Sequence, residues 1–307
     1  MQRPINVSTL PKNNFALFEL GFRPFFFLAS IFSLIATLIW TAAFSFGWTL
    51  PVSDITPIAW HGHEMIFGYV MGITAGFLLT AVRNWTGVPT IRGLPLILLA
   101  AVWLLARVLP LLNSPVLFVW ATLFDVLFLV GFILAVLHPI VKAKQWRQLA
   151  IVTKLVLILA ANILYYLGVF NVVNQGISWG LYSAVYLEMA LIFTLARRVM
   201  PFFIERGVPE DVILKNWRFI DSSSLLFLAA LWISDVFLRI DILVAVLALV
   251  LTVIHCVRLW GWHTRGIWKS PLLWVLFLGY SFFALGFALK AINYFSLFSN
   301  TLPLHAF

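Results

Sequence analysis

Long apolar runs, separated by short polar segments, set the pattern of the chain. Nine runs are about 18 or more residues long, the length that an α-helix needs to cross a bilayer. The pattern predicts an all-α fold, a polytopic transmembrane helix bundle that forms a single domain over residues 1–307. A tenth apolar segment begins near Pro303. The nine predicted spans are residues 24–46, 58–82, 94–112, 116–137, 150–170, 177–198, 220–238, 240–259 and 271–292.

The composition agrees with a membrane protein and excludes an ordinary soluble one. Hydrophobic residues make up 63% of the chain and charged residues 10%, whereas soluble domains carry about 25% charged residues. The net charge of +9 would suit nucleic-acid binding, but the cations lie in short loops between apolar runs, where topology signals are found. We therefore expect the lipid bilayer as a partner, and no nucleic acid.

The basic residues are concentrated on one side of the predicted bundle. By the positive-inside rule, the side whose loops carry most Lys and Arg faces the cytoplasm. We therefore expect the N-terminal tail, residues 1–23, in the cytoplasm, and in a bacterium the protein would lie in the inner membrane. The 16 of 20 basic residues on this side are Arg3, Lys12, Arg23, Arg83, Arg92, Lys142, Lys144, Arg147, Arg197, Arg198, Arg206, Lys215, Arg218, Arg258, Arg265 and Lys269.

Polar residues cluster at the start of the second span, in the stretch WHGHEMIFG. The predicted topology places His61 and His63 at the outer face, and a tenth span would bring His305 to the same face. Residues two apart on a helix point about 200° apart, so His61 and His63 should face different neighbours. His61 and Glu64 are three apart and should share a face, so two separate roles are favoured over one shared ion.

The face that carries His61 and Glu64 continues as a stripe of small residues. Gly68, Gly72 and Gly76 follow at four-residue intervals. Such stripes allow a neighbouring helix backbone to approach closely within lipid. The sequence therefore predicts a tight helix–helix contact along this face of the second span.

Two histidines and a glutamate at one membrane face suit a heme iron, a copper ion or a proton relay. The candidate metal ligands are His61, His63, Glu64 and His305. The alternative is that these histidines only meet water or lipid headgroups. The single cysteine, Cys256, excludes a multi-thiolate site.

Two cations near the outer ends of spans are candidate partners for heme propionates. Arg107 lies near the end of the third span and Lys290 near the end of the ninth, and such anions favour basic partners. The alternative is that both side chains snorkel to the membrane interface.

Two carboxylates lie in the middle of predicted spans, Asp125 in the fourth and Glu188 in the sixth. Ionisable groups within the membrane are costly and are often functional. Each is a candidate for a proton relay or an ion site, and the alternative is a protonated carboxyl bonded within the bundle. They support a second hypothesis, a small-solute or proton-coupled permease.

Nucleotide-binding and nucleophile motifs are absent from the sequence, which leaves open whether the chain is an enzyme.

Several segments along nearly the whole chain resemble the NnrS family of bacterial inner-membrane proteins. The most specific is Trp60–Gly68, because two histidines and a glutamate open an apolar run there. The other segments that carry the resemblance are Leu17–Phe26, Gly76–Ala81 with Asn84–Gly87, Arg198–Phe203 and Pro271–Tyr280.

The resemblance implies a twelve-span protein that binds heme and copper and takes part in the nitric oxide response and in resistance to nitrosative stress. Carried over by motif, His61, His63 and Glu64 are the metal-site candidates, and His305 would open the family's next histidine-bearing segment. Family members continue past the position of Phe307. The resemblance therefore also implies that this sequence is C-terminally short and that its metal site is incomplete.

Overall fold

Ten helices make up the computed structural model over the part of the chain that it describes, residues 16–50, 52, 55–299 and 301–307. This confirms the predicted all-α fold. The helices are α1 Phe22–Phe46, α2 Pro57–Thr86, α3 Leu94–Leu112, α4 Pro115–Lys142, α5 Leu149–Val169, α6 Gly176–Gly207, α7 Arg218–Leu238, α8 Asp241–Trp262, α9 Pro271–Ile292 and α10 Thr301–Ala306.

Eight of the helices in the described ranges are long and apolar enough to cross a membrane. They coincide with eight of the nine predicted spans. The sixth predicted span falls on α6, a 32-residue helix that is not among the eight. The tenth apolar segment forms the short helix α10. Large apolar side chains such as Leu34 and Leu38 of α1 are mostly exposed, as expected for contact with lipid.

The helices form two compact units, residues 1–152 and 153–307. In the N-terminal unit, α2 packs against α1 and α4, and α3 packs against α4. In the C-terminal unit, α7, α8 and α9 pack in sequence, and α6 lies against α7. Each unit holds its own buried polar residues.

The glycine face of α2 packs against α1, as the small-residue stripe predicts. A methyl group added at Gly72 would lie 3.1 Å from the Ala29 methyl carbon, and one at Gly76 would lie 2.8 Å from the Phe26 ring. A larger side chain would therefore push the two helices apart. The close packing brings α1 against the part of α2 that carries the histidines.

The helix α2 changes its geometry near its N-terminal end. Pro57–His63 is α-helical, Glu64–Val70 is a π-helix, and Met71–Thr86 is α-helical again. The Thr56 hydroxyl caps the helix start by accepting a hydrogen bond from the Ala59 backbone N–H. π-Helical turns are rare and are often found at functional sites, and this one begins at Glu64.

In the C-terminal unit, α5 and α6 approach closely through glycine. A methyl group added at Gly180 would lie 2.6 Å from the Ala161 carbonyl oxygen and 2.7 Å from the Tyr165 backbone nitrogen. Because both neighbours are backbone atoms, they cannot move aside as a side chain can. Gly180 therefore sets the distance between the two helices.

We expect Gly180→Ala to destabilise the protein by about 1–3 kcal/mol, because the added methyl group overpacks a backbone contact. Gly279→Ala is the matched control, since nothing lies within 4 Å of a methyl group at that exposed helical position. Unfolding in mixed micelles, followed by circular dichroism, measures both variants. Equal stability of the two variants would contradict the assigned role of Gly180.

Candidate functional site

Four charged or titratable side chains meet inside the N-terminal unit. His63 and Glu64 lie where the α-helical start of α2 passes into its π-helix, Arg107 lies on α3, and Asp125 lies on α4. All four are at most 3% exposed. We call these four residues the ion network.

The contacts of the ion network form a closed ring. Arg107 donates from Nη1 to Glu64 Oε2 at 2.8 Å and from Nη2 to Asp125 Oδ1. His63 Nδ1 lies 3.1 Å from Glu64 Oε1, and His63 Nε2 lies 3.3 Å from Asp125 Oδ2. Each carboxylate therefore contacts both basic groups.

This geometry links the charge state of the histidine to that of the two acids. An ionised carboxylate only accepts hydrogen bonds, so both ring nitrogens of His63 must donate when Glu64 and Asp125 are ionised. His63 is then an imidazolium, and the network holds two positive and two negative charges. A buried set of charges is tolerated in an apolar interior when it is paired and balanced in this way.

Neighbouring residues shape the space around the ion network. A methyl group added at Gly68 would lie 3.1 Å from Glu64 Oε2 and 3.2 Å from Arg107 Nη1. The absence of a side chain there lets the guanidinium reach Glu64. The Trp103 indole N–H donates to the Gly68 carbonyl at 3.1 Å, which ties α3 to the π-helix of α2.

His61 lies apart from the ion network, as the helical geometry predicts. Its ring stacks on Trp40 of α1, with ring centroids 4.4 Å apart and an interplanar angle of 13°. Glu64 was predicted to share a helix face with His61, and it also contacts the adjacent His63. Adjacent residues on a helix point only about 100° apart, and two long side chains can close that gap.

The ion network does not suit a copper or heme iron centre. No group of three or more His, Cys, Asp or Glu side chains within the described ranges is arranged to hold a metal ion. Both ring nitrogens of His63 contact carboxylates, and the Arg107 cation lies between the two acids. A metal cation would have to displace a positive charge already bonded to both carboxylates.

Two cations predicted as candidate propionate partners have carboxylate partners within the protein. Arg107 contacts Glu64 and Asp125, as described above. Lys290, on α9 in the C-terminal unit, lies 2.9 Å from Asp235 Oδ2. Any propionate would therefore compete with an existing carboxylate at either cation.

His305 lies on α10 and is exposed. Its Nδ1 lies 2.8 Å from the Thr301 carbonyl oxygen. Because a carbonyl oxygen only accepts, Nδ1 must carry the hydrogen. In the neutral ring, Nε2 then keeps its lone pair, which is the arrangement that metal-binding histidines usually show.

A second buried polar network lies in the C-terminal unit. Arg258 on α8 is 2% exposed and donates to Asp221 Oδ1 at 2.9 Å and to the Tyr280 hydroxyl at 2.8 Å. The same hydroxyl lies 2.9 Å from Nδ1 of the fully buried His255. Arg258 was predicted to be a loop cation, and this was wrong because α8 continues to Trp262.

Glu188 lies near the middle of α6 and is 5% exposed. Neither of its carboxyl oxygens has a hydrogen-bond partner among the residues that the structure describes. Asp125, the other mid-span carboxylate of the sequence analysis, belongs to the ion network instead. The two acids thus differ in environment, one paired with two cations and the other surrounded by the bundle.

The link between Arg107, Asp125 and His63 was missed by the sequence analysis, although a signal was available. Only Asn113 and Ser114 separate α3 from α4, so the two helices run antiparallel and must share an interface. An arginine on one helix and an aspartate on the other, each in an apolar span, then have a strong reason to pair.

The comparison with known proteins identifies one family. The family model described as NnrS protein matches residues 16–307 of the chain. The match covers the histidines of α2, the ion network and the second buried network. No curated protein and no solved structure matches the chain.

We expect Arg107→Gln to destabilise the protein by about 3–5 kcal/mol, because two buried carboxylates lose their shared partner. Adding Asp125→Asn to this variant removes one of the two buried carboxylates that have lost Arg107, and it should recover part of the loss. Lys269→Gln is the control, since its pair with Glu210 lies on the surface and should leave stability unchanged. Denaturation in mixed micelles measures all three variants, and equal stability of Arg107→Gln and Lys269→Gln would contradict the role of the network.

Proposed function

Because the chain belongs to the NnrS family, we propose that it is a heme- and copper-binding membrane protein of the nitric oxide response and of nitrosative-stress resistance. The match of the family model over residues 16–307 is the observation that carries this proposal. We place the protein in the bacterial inner membrane with its N-terminus in the cytoplasm. With Arg258 set aside as a buried residue, 15 of the 20 basic residues still fall in the tail and connections predicted to be cytoplasmic, which supports this orientation.

Among the histidines considered, His61 and His305 fit metal binding better than His63. Stacking on Trp40 occupies the face of the His61 ring, whereas coordination uses lone pairs in the ring plane, so the two are compatible. The His305 ring has its Nδ1 hydrogen held by the Thr301 carbonyl. A heme iron or copper ion bound at either ring would supply a centre that takes nitric oxide as a ligand.

The ion network has a supporting role in this proposal. Arg107 bonds α3 to both α2 and α4 through Glu64 and Asp125. His63 adds a second link between α2 and α4. The network thereby holds the α2 segment that carries His61, and it keeps Glu64 engaged away from any metal.

Histidine substitutions separate these roles. Protein purified from cells supplied with iron and copper is expected to show a Soret band and bound copper. His61→Ala and His305→Ala should each weaken the Soret band or lower the copper content, because each removes a candidate ligand. His63→Gln should lower the unfolding temperature while the folded fraction keeps its spectrum. The measurements are the optical spectrum, the metal content and the unfolding temperature.

His138→Ala serves as the control, since His138 is exposed near the C-terminal end of α4. A well-folded wild-type protein with neither a Soret band nor copper would overturn the proposal. Loss of the spectrum in folded His63→Gln, with His61→Ala unaffected, would instead move the ligand role to His63.

A second candidate function is a proton-coupled permease for a small solute. The observation that favours it is Glu188, whose buried carboxyl oxygens have no hydrogen-bond partner in the described part of the chain. A carboxyl in such surroundings is most stable when neutral. Binding and release of a proton there would change the charge inside the C-terminal unit, as transport coupled to protons requires.

Uptake into proteoliposomes under an imposed pH gradient tests this function. We expect Glu188→Gln to abolish proton-driven uptake, because glutamine cannot bind and release a proton. Asp211→Asn is the control, since Asp211 is exposed in the loop between α6 and α7. Unchanged proton-driven uptake in the Glu188→Gln variant would exclude the permease mechanism through this residue.

A further inference from the structure

A polar cavity of about 440 Å³ opens at one end of the C-terminal unit, where α6 begins, α7 ends, α8 begins and α9 ends. Nine of its twelve lining residues are polar or charged. The volume falls in the range of small-molecule sites. The ion network lies in the other unit, so this cavity is separate from it.

Two acids and two bases face this cavity, Asp235 and Asp241 with Arg239 and Lys290. The walls are therefore electrically balanced while carrying full charges of both signs. A ligand with a single charge would be attracted by the groups of opposite charge and repelled by the groups of like charge. A ligand that carries both a positive and a negative charge would find an attractive group for each of them.

Two of the charged groups are held in place by neighbours. Asp235 Oδ2 accepts a hydrogen bond from the Tyr186 hydroxyl at 2.7 Å and lies 2.9 Å from the Lys290 ammonium. The side chains of Lys290 and Asp235 are only 13% and 18% exposed. This ion pair is therefore a partly buried, preformed feature of the cavity wall.

The backbone directs the second base toward the cavity. Arg239 has a positive φ of 54°, a left-handed conformation that ends the π-helical last turn of α7. Its Nη2 donates to Gln175 Oε1 at 2.7 Å. Arg239 lines the cavity and is exposed, and a guanidinium can bind a carboxylate through two parallel hydrogen bonds.

Hydroxyl groups complete the lining. Ser178, Tyr182, Tyr294 and Ser296 each contribute a hydroxyl that can donate or accept. These groups match a small solute rich in polar atoms rather than an apolar one. Because Lys290 and Asp235 pair with each other, Arg239 and Asp241 are the charged lining residues outside that pair. We propose that the cavity binds a small zwitterion of the amino-acid type, with its carboxylate toward Arg239 and its ammonium toward Asp241.

Glycine and its two singly charged halves, acetate and methylammonium, test this proposal directly. Equilibrium dialysis of the full chain in nanodiscs, with radiolabelled probes, measures the binding of each. We expect saturable glycine binding at least tenfold tighter than that of acetate or methylammonium. Only glycine carries both a carboxylate for Arg239 and an ammonium group for Asp241. The proposal is independent of heme, copper and proton transport, so its outcome stands apart from theirs.

Variants that remove one charge from the cavity should change the binding of acetate and of methylammonium in opposite directions. Asp241→Asn should weaken glycine binding at least fivefold and strengthen acetate binding, because a repulsive carboxylate is removed. Arg239→Gln should weaken glycine binding and strengthen methylammonium binding. Both residues are exposed at helix ends, so the fold should tolerate these changes, and the unfolding temperature of each variant checks this.

Asp211→Asn is the matched control for a lost surface carboxylate outside the cavity. The proposal is overturned if glycine binds no better than acetate and methylammonium, or if none of the three binds. It is also overturned if Asp241→Asn and Asp211→Asn give the same three affinities.

Discussion

The N-terminal unit depends on the bonds that Arg107 makes with two carboxylates in an apolar interior. Water is not at hand to solvate these charges, so the protein must supply every partner itself. Arg107 has donors on two sides of a planar group and can bond Glu64 and Asp125 together. Three helices are thereby held by one side chain, and His63 completes the charge balance. Gly68, which has no side chain, leaves the room that this arrangement needs.

The C-terminal unit meets the same constraint with different residues. Arg258 again contacts a buried carboxylate, that of Asp221, and it adds the Tyr280 hydroxyl and the Ser224 hydroxyl as neutral acceptors. His255 ends this network among aromatic rings, with Phe193 and Phe287 at centroid distances of 4.2 and 5.4 Å. One unit thus balances its arginine with full charges, while the other spreads the hydrogen bonds of its arginine over hydroxyl groups.

Apolar run length and the glycine stripe predicted the helices and the packing of α2 on α1, because both follow from periodicity along one segment. The separation of His61 from His63 followed from the angle between successive residues. The partners of Glu64, Arg107 and Asp125 did not follow, because they depend on which helices are neighbours and how far long side chains reach. The burial of Arg258 was also missed, since an arginine near the end of an apolar run resembles a loop cation until the helix is seen to continue past it. Glu188 was singled out correctly as a buried acid, but its lack of partners among the described residues is visible only in three dimensions.

The π-helix of α2 sets how far the segment that carries the histidines is rotated relative to the glycine face. A π-turn holds one more residue than an α-turn, and each residue of an α-helix rotates the chain by about 100°. A continuous α-helix over the same residues would rotate Pro57–His63 by about that angle relative to Met71–Thr86, because the π-helix accommodates one residue without that rotation. The glycine residues of Met71–Thr86 would still pack on α1, but the histidines would point elsewhere. The phase of the histidine pair therefore depends on the π-helix, and the extra residue that it accommodates between His63 and Gly72 is as much a part of this site as the identity of any side chain in it.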